Sequence, residues 1–306
     1  MRPKGSSESA LRSDVSQNQS RVVFDRMSRY TGRLSKKVEP RNVHHFRTNS
    51  RRVEALVDHL APESRNKKKL LRLVSKLRKR AGKLRDLDVQ IAYLKNLRLP
   101  DGQNHRAQLL ELLDDEHARR SRKLAHSFSS ETVHELRKRL RHEQKEIRLD
   151  GIDPLRVAMS VLPKLGQLPT TEKALHASRI AAKHARYIAE LAGDTPHASF
   201  FIEELKRAQD AIGEWHDILK LKQKAEKQFG SASDSSLVSM LQNVSRARFR
   251  TACNALAFTL ATLSRQLRQT RRPTTAAQKA VPEVSEIAAK RRPSSSERSP
   301  QTAAVA

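Results

Sequence analysis

The sequence predicts an all-α protein, and three observations carry that prediction. Apolar residues recur at i, i+3, i+4 and i+7 almost throughout, whereas period-two alternation is scarce. Only nine glycines occur in 306 residues, which leaves little material for tight hairpins. Neither GxGxxG nor GxxxxGK-S/T is present, so the Rossmann and P-loop fingerprints are absent.

Periodicity and turn signals place helices near 19–38, 41–60, 65–97, 103–128, 131–148, 154–166, 171–192, 199–229 and 235–269. Pro40 and Pro62 interrupt the first runs. Pro100-Asp101-Gly102, Asp150 to Pro154 and Gly193-Asp194-Thr195-Pro196 break the later ones. Thr170 or Thr171 and Ser199 suit N-caps. Residues 1–18 and 271–306 are expected to be disordered tails. The second of these is rich in Pro, Ser, Thr and Ala, with basic clusters such as Lys290-Arg291-Arg292. The folded region is expected over 19–270.

Charge narrows the function. The chain holds 61 Lys+Arg against 33 Asp+Glu, a net +28. Setting aside the two tails leaves 51 basic and 28 acidic groups, or +23, on the central 252 residues. Self-repulsion on that scale points to a polyanionic partner rather than to a neutral small-molecule substrate. One cysteine, Cys253, excludes an intramolecular disulfide framework and Cys-rich zinc sites, and it reads as a small buried residue. The N-terminus lacks the apolar run of a signal peptide, and the stretch Cys253 to Leu263 is too short to span a bilayer. The expectation is a soluble, cytoplasmic protein that makes no membrane contact.

An internal repeat carries the chemistry. His44, Arg47 and Arg51 read H-x-x-R-x-x-x-R; His176, Arg179 and Lys183 read H-x-x-R-x-x-x-K, offset by 132. Gly82-Lys83-Leu84-Arg85-Asp86-Leu87 follows the first, and Gly213-Glu214-Trp215-His216-Asp217-Ile218 the second, offset by 131. Two copies of both blocks, in register to one residue, predict two tandem helical bundles related by a pseudo-twofold, over about 19–130 and 150–270.

On a helix, His176, Arg179, Lys183 and Arg186 fall within an arc of about 80°. Ala177, Ile180, Ala181, His184, Ile188 and Leu191 lie on the face expected to meet the core. His44, Arg47 and Arg51 form the matching stripe, opposite Phe46, Val53, Leu56, Val57 and Leu60. Stacked cations repel one another, so a chain seeking only helix stability would intersperse glutamates. Arginine offers a planar fork for two phosphate oxygens, lysine a point charge, and histidine gains a second donor when a polyanion raises its pKa.

These segments resemble a known family. Val43-His44-His45-Phe46-Arg47 with Arg51-Arg52, Leu84 to Val89, Leu175-His176 through Arg186-Tyr187, and Gln209 to Asp217 are similar to the motifs of the CHAD domain, the conserved histidine α-helical domain. The resemblance covers roughly residues 19–270, with four blocks in the family's order. It implies two four-helix bundles facing each other across a basic cleft that holds inorganic polyphosphate, and association with polyphosphate granules. Carried over as polyphosphate-binding are His44, Arg47, Arg51, Arg52, Arg85, His176, Arg179, Lys183 and Arg186. Arg78 and Lys206 join them because each precedes a glycine expected to centre a turn. Asp86 and Asp217 are expected to support the Arg and His side chains, Asp88 being a third acid kept off the phosphate. Glu54 stands where the second repeat has Arg186, and is expected to cost one phosphate contact or to orient Arg51.

Rival readings are weaker. No HExxH and no His/Asp cluster of ligand spacing occurs in the sequence, so no cofactor is expected, and a divalent cation only as a counterion of polyphosphate. Non-specific RNA or DNA binding is the alternative partner reading. Only 12 aromatics occur, however, with Tyr187 and Trp215 suited to the core, whereas single-strand readers need stacking platforms. The acidic Glu-x-Glu-x-Lys signature of the triphosphate-tunnel enzymes that CHAD domains accompany is missing, and no nucleophile–base set shares one face. A binding protein rather than an enzyme is expected. His134, Arg137 and Arg141 repeat H-x-x-R-x-x-x-R a third time without a Gly-Asp block, and read as a basic helix face. His59, His105, His117, His126, His142 and His197 read as surface or linker groups.

Overall fold

A computed structural model describes residues 5–97, 104–162 and 169–271; the tail expected over 271–306 lies, from 272 on, outside the described residues. Its helices are α1 (Gly5–Lys36), α2 (Pro40–Leu60), α3 (Arg65–Asn96), α4 (His105–His126), α5 (Ser130–Glu146), α6 (Pro154–Val161), α7 (Glu172–Ala189), α8 (Pro196–Phe229) and α9 (Ser236–Arg271), with a 3-10 turn at Glu190–Ala192. Among the described residues there is no strand. One compact unit runs to Ser264, and the second unit, from Arg265, is described only as the last turns of α9.

The helix starts follow local chemistry. Ser64 accepts from the Lys67 amide at 2.9 Å, and Thr171 and Thr195 accept at 3.2 Å from the amides of Ala174 and Ala198. Asp153 accepts from Leu155 N–H, with Pro154 as the first helical residue. Thr171 is thus the cap of α7. Ser199 is not a cap: the Thr195-Pro196 start carries α8 one turn further back.

Two expectations change. Residues 5–18, expected to be a disordered tail, belong to α1. They lack an apolar stripe, and polar contacts hold their C-terminal end. Gln17 donates to the Ile147 carbonyl at 3.0 Å and accepts from Leu149 N–H at 3.2 Å, Ser13 donates to Asp150 at 3.0 Å, and Ser16 is buried. Nor do Gly82 and Gly213 centre turns; both lie inside long helices, α3 and α8.

The apolar clusters do not divide at the repeat boundary. One gathers α1, α2, α3 and α5 around Phe24, Phe46, Leu56, Leu77 and Leu136. Another packs Leu175, Ile212, Trp215 and Leu256 of α7, α8 and α9. A third joins the halves, with Leu87 and Leu94 of α3 and Leu113 of α4 against Leu221 of α8 and Leu241 of α9. A fourth sets Ala55 of α2 with Ala182 and Ala185 of α7. Small side chains there let the two stripe-bearing helices pack directly against each other. That packing decides the site.

Candidate functional site

Each stripe begins as three or four basic residues on one helix. Because α2 and α7 pack on each other, and α3 and α8 pack on them and on one another, the two stripes face a common groove. Its larger arm, about 730 Å³, is lined by His44, Arg47, Arg51 and Arg85, by Arg179, Lys183, Arg186 and Lys206, and by Asp86 and Asp217. A smaller arm of about 340 Å³ takes in Arg78, Lys79, Lys83, His176, His184 and His216. Arg47, Arg51, Asp86, Arg179 and Lys183 line both arms, so the arms meet at the crossing of α2 and α7. Together the walls hold ten Lys or Arg residues against five carboxylates, Glu54, Asp86, Asp210, Glu214 and Asp217. The excess is cationic.

The mid-helix glycines now have a reason. A Cβ at Gly213 would meet nothing within 4 Å, and Gly213 lines the larger arm; a Cβ at Gly82 would lie 3.8 Å from Arg47 Nε. Glycine inside a helix costs about 1 kcal/mol relative to alanine, and at these two points it opens the groove floor instead of turning the chain.

Burial shapes the electrostatics. Arg179 is only 7% exposed and its Nε has no hydrogen-bond partner. Burial lowers the Arg179 pKa, with Asp217 opposing and Arg47 adding to the shift. Burial, together with Arg47 and Arg179, brings Arg51 down to about 10. Lys183 is pushed furthest, to about 5, by burial and then by Arg51, Arg179, Arg47 and Arg186. The same causes act on the rings. Burial and then Arg85 lower His44, burial and then Arg179 lower His176, and His216 falls to about 3.

The acids sort by partner. Asp86 accepts from Arg47 at 3.1 Å, the supporting role the sequence suggested. Asp217 faces Arg179 electrostatically, and its own pKa rises through burial against the pull of that arginine. Glu54 does not serve Arg51. It is buried and ion-paired with Arg78 at 2.5 Å, so one wall cation is neutralised within the first half. Asp88 stands between Arg85, at 3.6 Å, and His117, at 2.9 Å.

Arg52 stands apart from the groove. It lines neither arm, but donates to Glu190 at 2.7 Å and lies over the Tyr187 ring at 5.3 Å. Burial works against its charge, yet Glu190 more than offsets this and holds the guanidinium above its ordinary pKa. Its neighbour Arg51 points into the groove because successive helical residues diverge by about 100°. Ile180, expected in the core, is 46% exposed and lines the smaller arm. His216 was missed as a site residue although the repeat pairs it with Arg85; its ring lies 5.2 Å from that of His176.

Several histidines read as surface groups have defined partners. His105 stacks on Phe229 at 4.3 Å and meets Ser235 at 2.8 Å, and His59 meets His184 at 3.3 Å. His134, Arg137 and Arg141 line a separate cleft of about 830 Å³ between α1 and α5, together with Asp25. There the cations come from one helix only. The groove at α2 and α7 draws on four helices and both repeats.

That arrangement can be set beside known proteins. The CHAD domain model matches residues 21–226, about two thirds of the chain. The chain belongs to the CHAD domain family. Among solved structures it is similar to the CHAD domain from the plant Ricinus communis, with a TM-score of 0.59 and 18% identity over 81% of this chain and 91% of that one. It is also similar to PptA from Streptomyces chartreusis, with a TM-score of 0.57 and 15% identity over 83% of this chain and 99% of the other. No curated protein sequence matches it. Both structural likenesses bear on the fold, which is the helical fold of CHAD domains.

Proposed function

We propose that this CHAD domain binds inorganic polyphosphate in the groove at the α2–α7 crossing, as a binding protein rather than an enzyme, and that it associates with polyphosphate granules. The observation that carries the reading is the wall charge: ten Lys or Arg residues from both repeats face five carboxylates, and burial depresses several of those cations. A linear polyanion supplies the missing charge along the whole groove, and arginine forks match its oxygens two at a time. The binding groups are His44, Arg47, Arg51, Arg78, Arg85, His176, Arg179, Lys183, Arg186 and Lys206, with Asp86 and Asp217 in support. Arg52 is set aside as a packing residue. The reading needs no cofactor; divalent cations enter as counterions of the chain.

Nucleic acid fits less well. A single strand would need an aromatic platform, but Tyr187 is 4% exposed and lies under Arg52 and Arg186, and Trp215 is 1% exposed. A competition assay at fixed salt between long-chain polyphosphate and single-stranded RNA tests the proposal. Displacement of bound RNA by polyphosphate at lower phosphate concentration is expected. Equal or stronger competition by RNA would sink it. The same incubations, assayed for released orthophosphate, test the absence of catalysis.

A further inference from the structure

At the α2–α7 contact, outside the stripes, three ligand-type side chains converge. Asp58 and His59 come from the last turn of α2, His184 from α7, 125 positions further along the chain. One donor atom from each lies within 4.8 Å of the other two. His59 Nε2 and His184 Nδ1 are 3.3 Å apart, and an Asp58 oxygen is 3.8 Å from His59 Nε2. Zinc–nitrogen bonds of about 2.0–2.1 Å at a tetrahedral angle set two ligand nitrogens roughly 3.3–3.4 Å apart. The histidine pair already has that spacing, and the Asp58 carboxylate lies beside it.

We propose that Asp58, His59 and His184 bind a transition-metal dication of the zinc class, clasping α2 to α7. Two imidazoles and one carboxylate suit Zn²⁺, Co²⁺ or Ni²⁺ rather than Mg²⁺ or Ca²⁺, which take all-oxygen shells. Three protein ligands leave a coordination position for water.

The surroundings permit entry. The Asp58 side chain is 54% exposed and that of His59 28%, so an ion reaches the site from solvent. The carbonyls at the end of α2 favour positive charge, but Lys67 already takes up two of them, donating to Asp58 and Ala61 at 3.1 and 3.0 Å, and its ammonium opposes a dication. Arg51 and Arg78 on the groove side oppose a dication, and Asp58 offsets one of those charges.

The inference stands apart from polyphosphate binding and is tested without it. The full chain, in phosphate-free buffer at mildly alkaline pH, is titrated with Co²⁺ and read by its visible ligand-field absorption, then competed with Zn²⁺. One equivalent should bind with the intense bands of a low-coordinate nitrogen–oxygen site, and Zn²⁺ should displace it and raise the thermal midpoint. His59→Ala and His184→Ala should each weaken binding by at least the roughly 10–100-fold that loss of a mere outer partner causes, whereas His197→Ala, at an exposed position in α8, should not. Should His184→Ala fail to fold, His59→Ala decides alone, because that ring is partly exposed. Binding absent in the wild type, or unchanged in His59→Ala, overturns the proposal.

Discussion

Replacing Lys183 with methionine should flatten the pH dependence of polyphosphate binding, with the loss of affinity largest at low pH. In the free protein this ammonium is depressed from 10.5 to about 5 by burial and by Arg51, Arg179, Arg47 and Arg186. His216 and Asp217 on α8 and Asp86 on α3 complete the charged surroundings. At pH ~7 only about one free molecule in a hundred therefore carries the proton. A polyanion seated in the groove restores the charge, so binding takes up a proton at that site. Supplying it costs ~2.7 kcal/mol at pH ~7 and almost nothing at pH ~5, since each unit is worth about 1.36 kcal/mol. Affinity should accordingly rise by up to tenfold per unit as pH falls through this window, roughly 100-fold in all. His44, His176 and His216 add to the slope, because they too are depressed in the free groove. Lys183→Met should remove about one proton of uptake, leave the histidine part, and converge with the wild type toward alkaline pH. Calorimetric titrations in two buffers of different ionisation enthalpy count the protons directly. Stability carries the opposite sign. Between about pH 5 and 10.5 the unfolded chain holds the Lys183 proton and the folded one does not, so the free protein gains stability as pH rises, and Lys183→Met should raise the neutral-pH melting midpoint. Equal proton uptake in both proteins, or a lowered midpoint in the variant, would refute the reasoning.

Arg52→Ala should cost about 1 kcal/mol of stability in chemical denaturation, through the lost Glu190 pair and Tyr187 contact, and leave polyphosphate affinity nearly unchanged. A large affinity loss would return Arg52 to the groove. Gly213→Ala should stabilise the protein by up to ~1 kcal/mol, since its Cβ meets nothing within 4 Å. Gly213→Leu should keep the helical signal while weakening polyphosphate binding, and unchanged binding would mean that the ligand avoids the groove floor. Long polyphosphate should show a steeper salt dependence than tripolyphosphate. Removing Arg179, Lys183 and Arg186 together should lower the long-chain slope by about 2. Identical slopes for short and long chains would mean that the two stripes do not share a ligand.

Much of this molecule is legible in one dimension. Proline and capping residues mark the helix starts at Pro40, Pro154 and Thr171 because φ restriction and unpaired amides are local properties. The stripes are legible for the same reason: positions three and four apart share a face whatever lies opposite. The repeat then shows that two such stripes belong together, and His216 was recoverable from its register with Arg85.

What lies opposite is another matter. Residues 5–18 lack an apolar stripe, and Gln17 finds its partners at Ile147 and Leu149, 130 positions away or more. Gly82 and Gly213 suggest turns by local propensity, yet packing keeps both within long helices. Glu54 could have met Arg51 or Arg78, and the α2–α3 packing chose Arg78.

The sequence by itself determined an all-helical chain, most of its helix starts, and two cationic stripes in register. Only the tertiary structure decided that Ala55, Ala182 and Ala185 let α2 and α7 pack directly, so that both stripes line one groove at that crossing. From that one contact follow the burial of Arg179, the fall of Lys183 to about 5, the withdrawal of Arg52 to Glu190, and the meeting of Asp58 and His59 with His184. Helix propensity and periodicity act over a few residues, whereas desolvation and charge pairing depend on which atoms a neighbouring helix brings within a few ångströms.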